Sequence, residues 1–539
     1  MKKTLAFLVA LLMTLSLVGG ALAADANLNP GGEKPICKEP VKLTIGVAEN
    51  TTVMDWATQG QTKLLEEYGF ELEFVTYPTA EFKTKIDLEM MAGGQNLPDV
   101  VLGNFNLDVL QTYAEYGLIY DLTEYYEAGM AHYVEIAQQE FNYDLLKYIT
   151  TPEGKIYSFL YISDSLENQF RSRILINKDW LDKLNLEIPR TTEEYREVLK
   201  AFKEKDPNGN GLADEVPFMG SRDRMDAHVI NFFMSPFVYA ISEDNYLYLD
   251  GDTVKPAYAQ DGWKDGVLYM RSLVDEGLVS PLTFTQDANQ VNAFSAGSDV
   301  ERLGSTSVQV SKVYTNLTTA EYEVQVYMLD SLSLPGGEQI APYSPVTPTP
   351  SSFITTNCEN PEAAFRFLDL LCKEEFSIMT RFGIEGIDWV APTAEEAAKF
   401  PFQKLGYEPF MREISIWGQP NGNWWANAGP AIRSARMLGG RVGSSGSNWV
   451  GSEAAARAHE FIHPELAVGQ ILYTPDEAAT LNTLQTDLLT YAREQYTMFV
   501  TRQRDVEKEW DAYLSELEAI GLSEYMDMVQ TAYDRMNGK

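Results

Sequence analysis

Between Val41 and Leu102 the chain repeats one local plan, an apolar run followed by an amphipathic stretch. Val41-Lys42-Leu43-Thr44-Ile45-Gly46-Val47 alternates as a strand, and a helix is expected around Gln61 to Tyr68. Phe70 to Tyr77 reads as a second strand and Glu81 to Ala92 as a second helix. Leu97-Pro98-Asp99-Val100-Val101-Leu102 is a turn into a buried strand. Strands that alternate with helices at this rhythm specify an α/β fold with a mostly parallel sheet.

The rhythm continues less regularly. Helices are expected at Val109–Tyr116 and from Leu122 to Glu127, a strand at Arg173–Asn177, a short helix at Lys178–Leu184 and a long one at Thr191–Glu204. Residues 261–276 space Trp263, Val267, Met270 and Val274 as the core face of a helix, and Pro361–Lys373 forms another. Residues 475–536 read as long helices broken at Gly521. Prolines and glycines at 30, 31, 32, 35 and 40 mark residues 24–40 as a flexible leader. Five prolines between residues 333 and 351 mark a rigid crossing segment.

At 539 residues the chain has room for two or more domains. Its net charge of -36 argues against nucleic acid or an anionic membrane surface as partner. Lys2 and Lys3, an apolar run from Leu5 to Val18 and Ala21-Leu22-Ala23 make residues 1–23 a secretory signal. An exported protein, periplasmic or extracellular, is therefore expected, and no later run is apolar enough to span a membrane. Three cysteines, Cys37, Cys358 and Cys372, are not a disulfide framework. A bridge between Cys358 and Cys372, which flank a helix, is open. Cys37 lacks the small-residue context of a lipoprotein cleavage site.

The long helix runs into Asp206-Pro207-Asn208-Gly209-Asn210-Gly211-Leu212-Ala213-Asp214-Glu215. Oxygen ligands stand at Asp206, Asn208 and Asn210, Gly211 allows a sharp turn, Leu212 offers a carbonyl, and Asp214 and Glu215 close the run. A hard cation wants six to eight oxygens, which this set can supply, so the loop reads as a compact Ca²⁺ site. It follows the first half of the EF-hand pattern but has Pro217 where that motif needs its bidentate glutamate. The competing reading is a polar turn after a helix.

Residues 417–449 set Trp417, Trp424, Trp425 and Trp449 among Asn, Gln, Gly and Ser. Indole faces stack on the C–H faces of sugar rings while amides bind hydroxyls, so Trp417, Trp424, Trp425 and Asn423 are candidate ligand contacts. Neighbouring residues on a strand point to opposite faces, which makes at least one of Trp424 and Trp425 core. Trp389, Asp99 and Arg171 are further candidates. His459-Glu460-Phe461-Ile462-His463 is a literal H-E-x-x-H, the string with which zinc hydrolases bind metal and activate water. Pro464 argues against the continuing helix such a site needs. No catalytic triad or phosphate loop stands out.

Several blocks together resemble the extracellular solute-binding proteins of ABC importers, in the large branch that includes alginate- and other oligosaccharide-binding proteins. They are Asn177-Lys178-Asp179-Trp180-Leu181-Asp182-Lys183-Leu184-Asn185-Leu186, Leu199 through Gly211, Gly383-Ile384-Glu385-Gly386, and Arg504-Asp505-Val506 with Trp510, Tyr513, Leu517, Leu522, Tyr525 and Tyr533. The resemblance implies a two-lobe periplasmic-binding-protein-like α/β fold of class II type, with discontinuous lobes joined by a hinge and the ligand in the cleft. The first lobe would hold residues 41–165 and about 300–385. The second would hold about 166–299 and 386–500, with residues 501–539 as C-terminal helices. It further implies structural calcium at Asp206, Asn208, Asn210, Leu212, Asp214 and Glu215. It implies an oligosaccharide or other polar small molecule as ligand, ABC transporter permease subunits as partners, and action as a monomer without catalysis. A peptide-binding protein, or a zinc-dependent hydrolase using His459, Glu460 and His463, is the alternative.

Overall fold

Strand Val41–Ala48 shows why the first sheet forms. Its odd positions Leu43, Ile45 and Val47 are fully buried, and β-branched residues suit a pleated surface packed on its neighbours. The computed structural model describes residues 25–539 except 171, 173, 225–228, 242–244, 297–300, 308–323, 399 and 443–446. The signal segment, Arg171 and Arg173 therefore lie outside the described residues, as does the side chain of Trp449.

The chain divides into two units. Unit 1 comprises residues 1–161, 348–388 and 417–432, and unit 2 comprises residues 162–347, 389–416 and 433–539. Both are discontinuous, as expected. The boundaries differ from the expected ones in three places. Strand Leu303–Ser307 belongs to unit 2, because it pairs with Ile174–Asn177 and Val216–Gly220 there. Residues 417–432 return to unit 1. The C-terminal helices are part of unit 2's core, since Trp510, Tyr513, Leu517 and Tyr525 bury against Trp263, Tyr258 and Tyr496.

In unit 1 the strand order is Ser352–Ile354, Val100–Leu102, Val41–Ala48, Phe70–Tyr77. The first strand runs parallel to both neighbours, Val41 opposite Phe70 and Ile45 opposite Val100, and the returning strand Ser352–Ile354 closes the sheet antiparallel. Helices Gly60–Glu66 and Phe82–Met91 make the crossovers. From Val41–Ala48 the chain goes to one side and then to the other. In such sheets ligands gather beyond the strands' carboxyl ends, where the order reverses.

The expected flexible leader is folded. Leu28, Ile36 and Cys37 are buried, Leu28 and Cys37 pair as an antiparallel bridge, and the amides of Ile36 and Cys37 donate to the Tyr68 carbonyl at 2.9 and 3.1 Å. Pro and Gly shaped turns here, while the apolar residues between them anchored the segment. All three cysteines are free and buried, so Cys358 and Cys372 are not bridged.

A buried carboxylate also stands out in unit 1. Asp369, 1 % exposed, accepts the Tyr133 and Val134 amides that open helix His132–Gln138. Burial outweighs those bonds and pushes its pKa up to about 7. The folded state thus binds this proton more tightly than the unfolded chain. Its contribution is fully present below the unfolded carboxylate range and is lost as pH rises through about 7. Urea midpoints at pH 5.5 and pH 8 are expected to differ less in Asp369→Asn than in the parent, and equal differences would remove Asp369 from this role.

In unit 2 the sheet order is Val326–Leu329, Ile174–Asn177, Leu303–Ser307, Val216–Gly220. Helix Thr192–Glu204 starts at a capping box: Glu194 N–H donates to Thr191 Oγ1, and the Glu194 carboxylate accepts the Thr191 amide. Val198, Leu199 and Phe202 on its apolar face bury in the core. The helix delivers Asp206 to the loop that follows.

Candidate functional site

Two constructions stand out, one in each unit. In unit 1, residues 417–432 dock on the loop that follows strand Val41–Ala48, at the carboxyl edge where strand order reverses. The docking is largely backbone. The Asn421 amide donates to Thr52 O at 2.9 Å, Gly60 N–H to Gly422 O at 2.8 Å, and Gln61 N–H to Asn423 O at 3.1 Å. The Gln59 amide reaches Asn421 O at 3.0 Å.

Asp388 organises the polar side. It is 2 % exposed, and its carboxylate accepts Asn421 Nδ2 at 2.7 Å, Asn423 Nδ2 at 2.8 Å and the Ile384 amide at 2.8 Å. Gly383 is what lets it sit there: a Cβ at that position, with φ of 74°, would lie 2.2 Å from Asp388 Oδ2. Both amide groups of the Asn-Gly-Asn run are thereby locked by one buried carboxylate.

The tryptophans separate into roles that their spacing does not show. Trp425 is fully buried, edge-on to Trp56 and Phe74, and its indole N–H donates to Thr62 Oγ1 at 3.0 Å. Trp424, 1 % exposed, donates to Thr52 O at 3.3 Å. Both are core, so the expectation that at least one is buried extends to the pair, and neither offers a stacking face in this structure. Period-two logic fails because the segment is not a strand here. Trp417 is the open one: it is 37 % exposed, its ring lies 5.5 Å from Trp424, and the Arg381 guanidinium sits 4.2 Å over it.

The other described candidates have partners of their own. Trp389 belongs to unit 2 and stacks on Phe410 with centroids 6.0 Å apart. Asp99 binds strand Val41–Ala48 internally, accepting the Thr44 amide and hydroxyl at 2.7 Å each. Asp388, Arg381 and Gln59 were missed by sequence reasoning. The one available signal was the Asn-x-Asn spacing at 421 and 423, which calls for an acceptor.

In unit 2, the Asp206–Glu215 loop is tightly wound. Asp206 takes φ of 47°, and its carboxylate accepts the Asn210 and Gly211 amides at 3.1 and 3.0 Å. Asn210 Oδ1 accepts the Leu212 amide at 2.7 Å. Asp214 Oδ1 takes the side-chain amides of Asn208 and Asn210 at 3.1 and 3.0 Å, which hold its pKa below the usual carboxylate range. Glu215 differs: Oε1 is buried without a hydrogen-bond partner, and burial, with the charges of Asp206 and Asp214, raises its pKa. A buried orphan oxygen facing like charge is what a hard cation would relieve. Among the described residues no three His, Cys, Asp or Glu side chains form a metal cluster by themselves. The donors here are mixed carboxylate, amide and carbonyl.

The H-E-x-x-H string does not make a helical zinc site. Helix Ser447–Ala458 ends before it, His459–Phe461 is a 3₁₀ turn, and Ile462 is extended with ψ of 145°. His459 and His463 therefore are not one helical turn apart, and His463 Nδ1 instead meets Glu465 at 2.9 Å. Pro464 sets this break, as it disfavours helical backbone in the residue before it. Among the described residues no helix is long and apolar enough to cross a membrane.

The chain is 26 % identical over 499 residues to the fructooligosaccharide ABC transporter substrate-binding protein FusA of Streptococcus pneumoniae serotype 4, covering 88 % of this chain and 86 % of FusA. A structure of a FusA EF-hand mutant in complex with fructo-nystose matches with a TM-score of 0.71 at 22 % identity, over 92 % of this chain and all of that one. An extracellular solute-binding protein from Bifidobacterium longum subsp. infantis matches with a TM-score of 0.75 at 22 % identity, over 92 % of this chain and 98 % of that one. Alginate-binding protein AlgQ2 without calcium ion matches at 0.62 and 22 %, over 95 % of this chain and all of that one. These likenesses give the two-lobe solute-binding fold that the blocks around residues 177–211 implied. With residues 62–401 matching the family as a whole, the chain belongs to the bacterial extracellular solute-binding proteins.

Proposed function

We propose that this protein is the substrate-binding component of an ABC importer and that it captures an oligosaccharide or similar carbohydrate without altering it. The observation that carries this reading is the unit 1 shelf: an exposed Trp417 face beside two asparagines held by Asp388. An aromatic face with fixed polar neighbours suits a ring that is apolar on its faces and polar at its rim. FusA, whose name carries a fructooligosaccharide, supports the carbohydrate class and the permease partner. Membership of an extracellular family agrees with export by residues 1–23.

We further propose that the Asp206–Glu215 loop holds one Ca²⁺ through Asp206, Asn208, Asn210, the Leu212 carbonyl, Asp214 and Glu215. The ion would supply charge neutralisation and loop rigidity only. Names of related proteins, an EF-hand mutant of FusA and AlgQ2 without calcium ion, agree with such a loop.

Titration calorimetry with kestose, nystose and a panel of glycans and peptides tests the main reading. One glycan class is expected to bind, and to be recovered intact after long incubation. Trp417→Ala is expected to weaken it tenfold or more, about 1.4 kcal/mol. Shortened chains would move the protein to the hydrolases, and peptide binding alone would move it to another solute class.

A further inference from the structure

Two glycines at the unit 1 shelf are there for want of room. A Cβ on Gly383 would run into Asp388, and one on Gly60 would lie 2.7 Å from Asn423 Oδ1 and 2.8 Å from Ile384 Cδ1. A third, Gly422, has no such reason. Its φ lies outside the left-handed region, and a Cβ there would meet nothing closer than Met54 Sδ at 3.9 Å and Gln59 Oε1 at 4.0 Å, both ordinary contacts. Alanine would fit the conformation and the space, and would lose less freedom on folding. Glycine also serves where backbone must approach a ligand closely.

The surroundings of Gly422 suit that second use. Asn421 and Asn423 turn Nδ2 inward to Asp388, and Asn421 Oδ1 takes the Asn423 amide at 2.6 Å, while Gly422 between them is exposed. Met54 stands beside it, 71 % exposed, on the loop that follows strand Val41–Ala48. Its neighbour Val53 pairs with Asn421 as a parallel bridge, which fixes Met54 against the run. A single exposed apolar residue is ordinary, and so is a glycine in a polar loop. Here the two adjoin: bare backbone next to an unbranched, polarizable side chain that adapts to what it covers.

The charge beside them is negative. Asp388 holds both flanking asparagines, and Asp55, next to Met54, is exposed. A carboxylated ring would bring like charge to both. Arg381 is engaged over the Trp417 ring at 4.2 Å.

We propose that Gly422 and Met54 form a ring seat of this shelf, in which one neutral sugar ring lies against the bare Gly422 backbone with the Met54 thioether along its edge. This seat presupposes the carbohydrate reading; it adds the charge class of the ligand and two residues that select it. A methyl on Gly422 would hold the ring off without disturbing the fold.

Titration calorimetry with kestose, nystose, maltotriose, cellotriose and trigalacturonate tests this. The tightest binder is expected to be one of the four neutral sugars, with trigalacturonate at least tenfold weaker. For that binder Gly422→Ala is expected to lose at least tenfold in affinity at an unchanged or higher Tm, whereas Gly60→Ala is expected to lower Tm. Met54→Gln is expected to lose at least tenfold, and Met54→Leu to recover most of that loss. Parent-like affinity in Gly422→Ala or in Met54→Gln, a Tm of Gly422→Ala as low as that of Gly60→Ala, or trigalacturonate as the tightest ligand would each overturn the ring seat and leave the carbohydrate reading standing. Absence of binding by all five sugars at millimolar concentration would overturn the seat, and peptide binding in their place would overturn the carbohydrate reading with it.

Discussion

Trp425→Ala is expected to destabilise the protein by about 3–5 kcal/mol, whereas Trp417→Ala, eight residues earlier, is expected to change stability by no more than about 1 kcal/mol. The difference follows from surroundings. Trp425 is fully buried between Trp56 and Phe74, with centroids at 6.1 and 5.5 Å. Removing the indole leaves a cavity that this aromatic cluster cannot close. It also takes away the donor to Thr62, whose own hydroxyl donates to Trp56 O at 2.6 Å, so the chain of bonds loses its outer member. Trp417 has one face at the surface and gives up mainly its contacts with Trp424 and Arg381. Urea unfolding of the ligand-free variants, followed by circular dichroism, measures this. A Trp425→Ala protein as stable as the parent would mean that residues 417–432 are not part of unit 1's core.

Calcium removal is expected to have the next largest effect. An ion that binds only the folded state stabilises it by mass action, about 2.7 kcal/mol at a hundredfold excess over its dissociation constant. For a protein of this size that is a fall of roughly 2–3 °C in Tm when a chelator is added. Asp206→Ala is expected to melt at the chelated temperature whether or not calcium is present. It removes the acceptor of the Asn210 and Gly211 amides as well as a ligand, so Glu215→Gln is the cleaner partner experiment. Without a cation, neutralising Glu215 relieves a buried charge facing Asp206 and Asp214. The variant is therefore expected to lose calcium while losing little stability in chelator. Elemental analysis showing no calcium, together with a Tm that ignores the chelator, would end the assignment.

The α/β class, most element positions and family membership were legible in the sequence because they rest on local signals. Strand Phe70–Tyr77 and helix Lys178–Leu184 fall where alternation and apolar spacing put them. The oxygen spacing after Glu204 is local as well. The H-E-x-x-H string shows the limit of such signals: the letters were present, but the backbone at Ile462 is extended.

What only the tertiary structure decided are relations between residues far apart in the chain. Asp388 became the anchor of Asn421 and Asn423 through bonds spanning more than thirty positions. Trp424 and Trp425 became core because residues 417–432 return to unit 1 and lie along Thr52–Gln61, more than 350 positions away. Leu303–Ser307 went to unit 2 because its hydrogen-bonding edges matched Ile174–Asn177 and Val216–Gly220. Side-chain chemistry fixes what a residue can do, and period fixes which neighbours share its face. Which distant backbone satisfies its donors, and so whether an indole is core or surface, is decided only when the sheets assemble.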